Sequence, residues 1–473
     1  MDCFSPFETA LSAVCGSNYG LMDGEGMAVT GYFPIMMTGM RGTFNFSDAT
    51  NVASTISHSY YRLSEYFNNP AFGNYQYTNT KANGGNFLSM LLYNTDGYDD
   101  FHMPNYSYYS GATESFVMRT DYEKGIDGMY LGFKGGDNQS GHGQLDVGSF
   151  VYDYKNIRWF WDLGRDSYDY ASRWEHYRNR AEGNNCLVIN PSTAPDQNPA
   201  GFAPIREYKV TDGVGYGIID MTDVYDTSGA TKAERGFMML NDFNTLIIQD
   251  EVKAESITEL YSFMHLGTGA TVSADKKSAL LASGSKRLYV YLLSNCDAAL
   301  EIKNAELLKL SPTPTAFSNA GIKKLAVKAK NVSDPTITVV ITPYAVNPLT
   351  QIVPLSEWGE TFVGMAAEPM QVTVNGHALE KPYETAETVS ELSASVTVSN
   401  LTAEKTEVWL TAACYVDGKL FETQTAKVRV GGKQSAPVSV SYTNPKGKQA
   451  DLKLMLWTAD LQPLARPIQI CQT

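Results

Sequence analysis

The chain has 473 residues, 43% of them apolar and 12% aromatic with 29 Tyr, and a formal net charge of −14. That length exceeds a single core and predicts two or three domains. The acidic balance excludes nucleic acid as a partner, because phosphate binding demands clustered cations. With no run of eighteen apolar residues, no membrane span is expected.

Residues 1–95 read as helical. Phe4, Phe7, Leu11 and Val14 recur at helical spacing and Gly16 supplies a stop. Further helices are expected near 54–67 and 80–93. From about residue 96 the pattern turns to short β runs, among them Phe116-Val117-Met118, Met129 to Phe133, Gly217 to Asp220, Thr245 to Asp250 and Leu288 to Leu293. Many such runs with turn residues between them predict a large antiparallel sandwich over 96–346. A Pro-marked linker follows at 347–361. Alternating strands over 362–473, such as Val408 to Ala412 and Leu452 to Trp457, fit an immunoglobulin-like or fibronectin-like β domain. The six Cys are scattered without a C-x-x-C pair and are read mostly as buried apolar residues. Met1 to Glu8 lacks the basic and apolar regions of a signal peptide.

Three ordered motifs occupy the middle of the chain: Gly141-His142-Gly143-Gln144-Leu145-Asp146-Val147-Gly148, then Trp161-Asp162-Leu163-Gly164, then Arg180-Ala181-Glu182-Gly183-Asn184-Asn185-Cys186-Leu187. Together they resemble the C-terminal β-sheet region of the heparinase II/III-like polysaccharide lyases. In that family the corresponding motifs are a His-x-His-Leu-Asp-Ala-Gly strand, an Asp-x-Gly and an Ala/Gly-His-Asn-Thr/Ser-Leu run. The resemblance implies a mainly β chain: the end of an α/α toroid, a heparinase-type sandwich, then an extra β domain. It implies β-elimination on an acidic, uronate-containing polysaccharide, in a periplasmic, cell-envelope or extracellular setting. Such chemistry needs a group that neutralises the substrate carboxylate, a base for the C5 proton and an acid for the leaving oxygen.

On this resemblance His142 inherits the catalytic role of the first His in the family strand. An imidazole suits proton transfer because it titrates near neutral pH. If the segment is extended, His142, Gln144 and Asp146 share one face. The zinc-binding members use the second His, the Asp of Asp-x-Gly and the His before Asn. Here Gln144, Asp162 and Asn184 stand at those positions. One carboxylate and two amides suit zinc poorly, so zinc is disfavoured and the trio is expected to hydrogen-bond instead.

Asn18-Tyr19-Gly20-Leu21 through Asn45-Phe46-Ser47-Asp48 resembles the end of the toroid. The family's catalytic Tyr and carboxylate neutraliser lie upstream of that segment and are expected to be missing from this chain. Tyr32, in Gly-Tyr-Phe-Pro, matches the structural segment and not the catalytic motif. The chain alone is therefore expected to be weak or inactive, with a separately encoded toroid domain as a candidate partner.

Arg158, Arg165, Arg173, Arg178 and Arg180 form a basic cluster among the motifs, and either bind polyanion or pair with Asp153, Asp162, Asp166, Asp169 and Glu175. Tyr177, Arg178 and Arg180 are the expected substrate contacts. The alternative is a non-catalytic polysaccharide-binding or scaffold protein. In that reading Trp159, Trp161, Trp174, Tyr168, Tyr170 and Tyr177 either stack on sugar or fill the sandwich core.

Overall fold

The computed structural model describes residues 3–51, 57–93, 103–120, 122–167, 173–211, 213–240, 244–309, 317–349, 351–359, 365–367, 370–379, 383–385, 388–400, 405–416, 419–432, 434–443, 451–459, 464 and 468–472. Tyr168, Asp169 and Tyr170 lie outside them.

The N-terminal part is helical: α1 (Phe4–Cys15), α2 (Tyr32–Met36), α3 (Ser59–Phe67), α4 (Pro70–Asn83) and α5 (Phe87–Leu92). α1 ends as its sequence directs, with Gly16 at φ 69° returning its N–H to the Ser12 carbonyl. Asn69 caps α4 by accepting from the Ala71 N–H, with Pro70 at the first helical position. The single helix expected over 80–93 is two, because Gly84 takes φ 84° and separates α4 from α5. Ile35, Tyr60, Leu63, Phe72 and Met103 make a small core.

α1 does not bury its apolar spacing as one stripe. Phe7 is 59% exposed and Val14 85%, while the buried positions are Ser5 and Glu8. Glu8 is held by the Arg62 guanidinium of α3 at 2.7 Å. Phe7 and Val14 face outward, while Phe4 packs against the small helical core and Leu11 is half-buried.

The middle of the chain is two antiparallel sheets. One orders the strands Ala298–Asn304, Lys323–Val332, Ile257–Leu266, Ile157–Phe160, Phe150–Tyr154, Met129–Lys134, Ser115–Arg119 and Tyr106–Tyr109, with Leu187–Ile189 also pairing on Ile257–Leu266. The other orders Ile205–Thr211, Val214–Asp220, Ala230–Leu240, Thr245–Ala254, Thr336–Thr342, Lys286–Ser294, Ser278–Ser283 and Gly269–Val272. Side chains from both make one core in which Phe133 stacks on Phe237, ring centroids 4.5 Å apart. Trp159 is fully buried there.

Beyond residue 364 two five-stranded sheets enclose a separate core that includes Val396, Leu410 and Leu454. Of the five described cysteine thiols, only Cys186 and Cys414 are buried; Cys3 and Cys15 are exposed, so the reading of most Cys as core residues does not hold.

Candidate active site

One amide of the third motif ties the second motif to the strand that follows the first. Asn185 donates to the Phe150 carbonyl at 2.7 Å and the Trp161 carbonyl at 2.8 Å, and its side-chain oxygen accepts the His265 N–H at 2.6 Å. Beneath it lies Arg235, fully buried, paired with Asp250 at 2.6 and 3.0 Å. The same guanidinium donates to the carbonyls of Gly148 and Asn185. Planar, five-donor Arg can serve a carboxylate and two carbonyls together. Neither residue was singled out from the sequence.

The His142 segment is a turn, not a strand. His142 has φ 63° and Gly148 φ 85°, while Gln144 and Asp146 are buried. The reason is Asp146: its carboxylate pairs with buried Lys134 and accepts the Ser47 N–H at 2.7 Å, pulling the chain inward. The expected common face of His142, Gln144 and Asp146 is therefore replaced by an exposed imidazole over a buried carboxylate. His142 shares its positive φ with ten other described non-glycine residues, and histidine adopts that conformation more readily than most residues.

The loop 45–48 grips this turn from the helical side. Asn45 donates to the Asp162 carbonyl at 3.2 Å, Ser47 binds Asp146, and Asp48 Oδ2 lies 2.7 Å from His142 Nδ1. The His142 side chain is 72% exposed. A carboxylate can only accept, so Nδ1 carries the proton and Nε2 is the basic atom. Ninety-four positions separate Asp48 from His142, and no spacing rule connects them.

Of Gln144, Asp162 and Asn184, the first two meet at one feature, the Asp162–Gly164 turn. Asp162 Oδ1 accepts the Gly164 N–H at 2.7 Å, and Gln144 Nε2 donates to the Gly164 carbonyl at 3.3 Å. Asn184 instead clips its own turn, donating to the carbonyls of Arg178 and Arg180. Burial, reinforced by the Asp146 carboxylate, pushes the Asp162 carboxyl up to about 7. Among the described residues no group of three or more His, Cys, Asp or Glu side chains is arranged to hold a metal. The one carboxylate and two amides present do not suit zinc.

Two of the three expected substrate contacts are interior groups. Tyr177 is fully buried, its hydroxyl 2.8 Å from His265 Nε2. Arg180 is 1% exposed and bonds Asp196 at 2.6 and 3.1 Å, together with four backbone carbonyls. Both are corrected to structural roles, since a buried guanidinium committed to a carboxylate cannot reach a ligand. Arg178 is half-buried, donating to Asn319, Leu163 and Ser318. Arg158 pairs with Asp153. Nearer the imidazole, Arg173 contacts the Gly143 carbonyl and lies 4.5 Å over the Trp174 ring, and Arg165 is exposed. Trp161 is 41% exposed.

Residues 116–339 match the family model described as Heparinase II/III-like, C-terminal. In structure the chain is similar to heparinase III, at TM-score 0.52 and 14% identity, covering 93% of this chain and 58% of that one. It is also similar to a heparan sulfate lyase from Pedobacter heparinus, at TM-score 0.50 and 13% identity, covering 90% and 58%. The likeness is one of fold, and the chain spans 58% of the length of these structures. No curated protein matches.

Proposed function

Starting from residues 116–339 as a heparinase II/III-like C-terminal domain, we propose that the chain is the sandwich-bearing part of a lyase that cleaves uronate-containing acidic polysaccharide by β-elimination. His142 is its proton-accepting group and Asp48 its positioning residue. The observation that carries this reading is the 2.7 Å contact between Asp48 Oδ2 and an imidazole that remains 72% exposed. A base must reach its proton, so an exposed ring with a fixed tautomer suits the task. Arg173, on the Gly143 carbonyl, is the nearby cation best placed to meet a polyanion against the overall charge of −14. We assign residues 1–95 to the end of an α/α toroid. Outward-facing Phe7 and Val14 of α1, with Phe87, Met90 and Leu91 of α5 at 69%, 71% and 63% exposure, make the face that further toroid helices would cover. No described helix is long and apolar enough to cross a membrane. The reading implies a periplasmic, cell-envelope or extracellular setting.

The test is to follow unsaturated-uronate absorbance with heparan sulfate, chondroitin sulfate and alginate, alongside affinity electrophoresis in the same glycans. The full chain should be retained by at least one glycan and show at most slow elimination, abolished in His142→Ala. Elimination that survives His142→Ala, or no retention by any glycan, would sink the reading.

A second reading, a binding protein without catalysis, draws on Trp161 and on the Arg173–Trp174 pair as a stacking surface. Retention that Arg173→Ala weakens and His142→Ala leaves untouched, with no elimination, would favour it.

A further inference from the structure

Between the loop 189–199 and the Asp226–Ser228 turn the sandwich opens into a cavity of about 390 Å³. Asn190, Ser192, Thr227 and Ser228 line it with hydroxyl and amide side chains, and Pro195 and Pro199 add apolar surface. Its one carboxylate, Asp196, is occupied by Arg180, and the described lining residues include no Lys, Arg or His. The cavity is therefore close to neutral in a chain of net charge −14.

Its walls are held in place from within. The buried Arg180 guanidinium donates to the carbonyls of Ser192, Thr193 and Ala194 as well as to Asp196, so the loop folds around it with these acceptors turned inward. Pro195 and Pro199 restrict the same loop by fixing φ. Asn198 joins the two walls, its side-chain amide donating to Asp226 Oδ1 at 3.0 Å and its N–H to the Val224 carbonyl at 2.7 Å. Asn138, shortly before His142 in the chain, donates to Gln197 Oε1 at 3.2 Å and to the Asn198 carbonyl at 2.9 Å, which ties the wall to the segment leading into the imidazole. A wall fixed in advance costs a ligand little ordering. The volume suits a small molecule, and apolar surface with a few polar groups is the usual lining of such a site. Hydroxyl and amide groups both donate and accept, which matches a polyol. Without a cation, the lining has nothing to compensate a carboxylate or sulfate. We infer that this cavity binds an uncharged sugar unit, at a place separate from the Asp48–His142 contact. The inference goes beyond the lyase reading and does not need it, since neither His142 nor Asp48 lines the cavity.

The experiment titrates the full chain separately with N-acetylglucosamine, galactose and glucuronate, and reads binding by saturation-transfer NMR. At least one of the two neutral sugars should bind saturably, with glucuronate weaker by roughly tenfold or more. Thr227→Trp, which puts a bulky ring at an exposed lining position, should weaken the neutral sugar roughly tenfold or more and leave the unfolding midpoint near wild type. His142→Ala should leave sugar binding unchanged, so a failed lyase reading and a failed cavity assignment give different results. The inference is overturned if neither neutral sugar saturates, if glucuronate binds as well as they do, or if Thr227→Trp binds like wild type. Should Thr227→Trp not fold, Ala194→Trp, at another exposed lining position, decides in its place.

Discussion

The sandwich and the N-terminal helices solve burial differently. In the sandwich, two buried guanidiniums come with carboxylate partners: Arg235 with Asp250 and Arg180 with Asp196. Arg235 also lies beside the Phe237 ring, which stacks on Phe133 in the sandwich core. In the helices, α1 buries Ser5 and Glu8 and turns Phe7 and Val14 outward. Exposed apolar side chains opposite a buried polar pair suit a neighbouring element. The sandwich core holds paired charges, whereas the helices leave apolar side chains exposed, and the Asp48–His142 contact lies where the two meet.

The sharpest way to break the contrast is Arg235→Met. It strands the Asp250 carboxylate and the Gly148 and Asn185 carbonyls in the core, and should cost about 3–5 kcal/mol in guanidinium unfolding. An effect below about 1 kcal/mol would show that Arg235 is not the clamp described. Next in size is the pair Arg180→Ala and Arg173→Ala. The first should destabilise the sandwich strongly, as removal of one partner of a buried pair does. The second should leave the unfolding midpoint within about 0.5 kcal/mol of wild type and weaken glycan retention. Reversal of the two would restore Arg180 as a ligand contact.

The smallest effect belongs to the helices. The Arg62 hydrogen bond holds the Glu8 carboxyl below its ordinary range. A depressed carboxyl contributes stability above its unfolded value near 4.5, and that contribution is lost as pH falls through the folded value. Amide exchange in α1 and α3 should therefore quicken below pH 4.5 while the sandwich strands stay protected. Glu8→Gln should remove the pH dependence. Equal loss of protection in both regions would contradict a helical part that responds on its own.

The strands were legible because their alternation is strong: Leu288 to Leu293 and Thr245 to Asp250 fall within strands as expected. The heparinase-type motifs were legible as well, although not the local shape of the first. There Asp146 is drawn in by Lys134 and Ser47, partners 12 and 99 positions away, and such long-range pairing overrides local pattern. The α1 spacing identified the helix and misassigned its buried face, because periodicity marks an apolar stripe without saying what covers it. Asp48 escaped notice for a related reason: only the fold brings it to His142, and one Asp in an Asn-Phe-Ser-Asp loop carries no catalytic pattern. Tyr177 and Arg180 misled through composition. Arg and Tyr beside a heparinase-type motif suit polyanion binding, and only the Asp196 and His265 contacts reveal their buried setting.

The tautomer of His142 tests the central claim most directly. In a 15N-histidine-labelled chain, with the signal assigned by its loss in His142→Gln, the neutral ring should carry its proton on Nδ1. Asp48→Asn should release that preference toward Nε2–H. A neutral ring already protonated on Nε2, and indifferent to Asp48→Asn, would contradict a base held ready by Asp48.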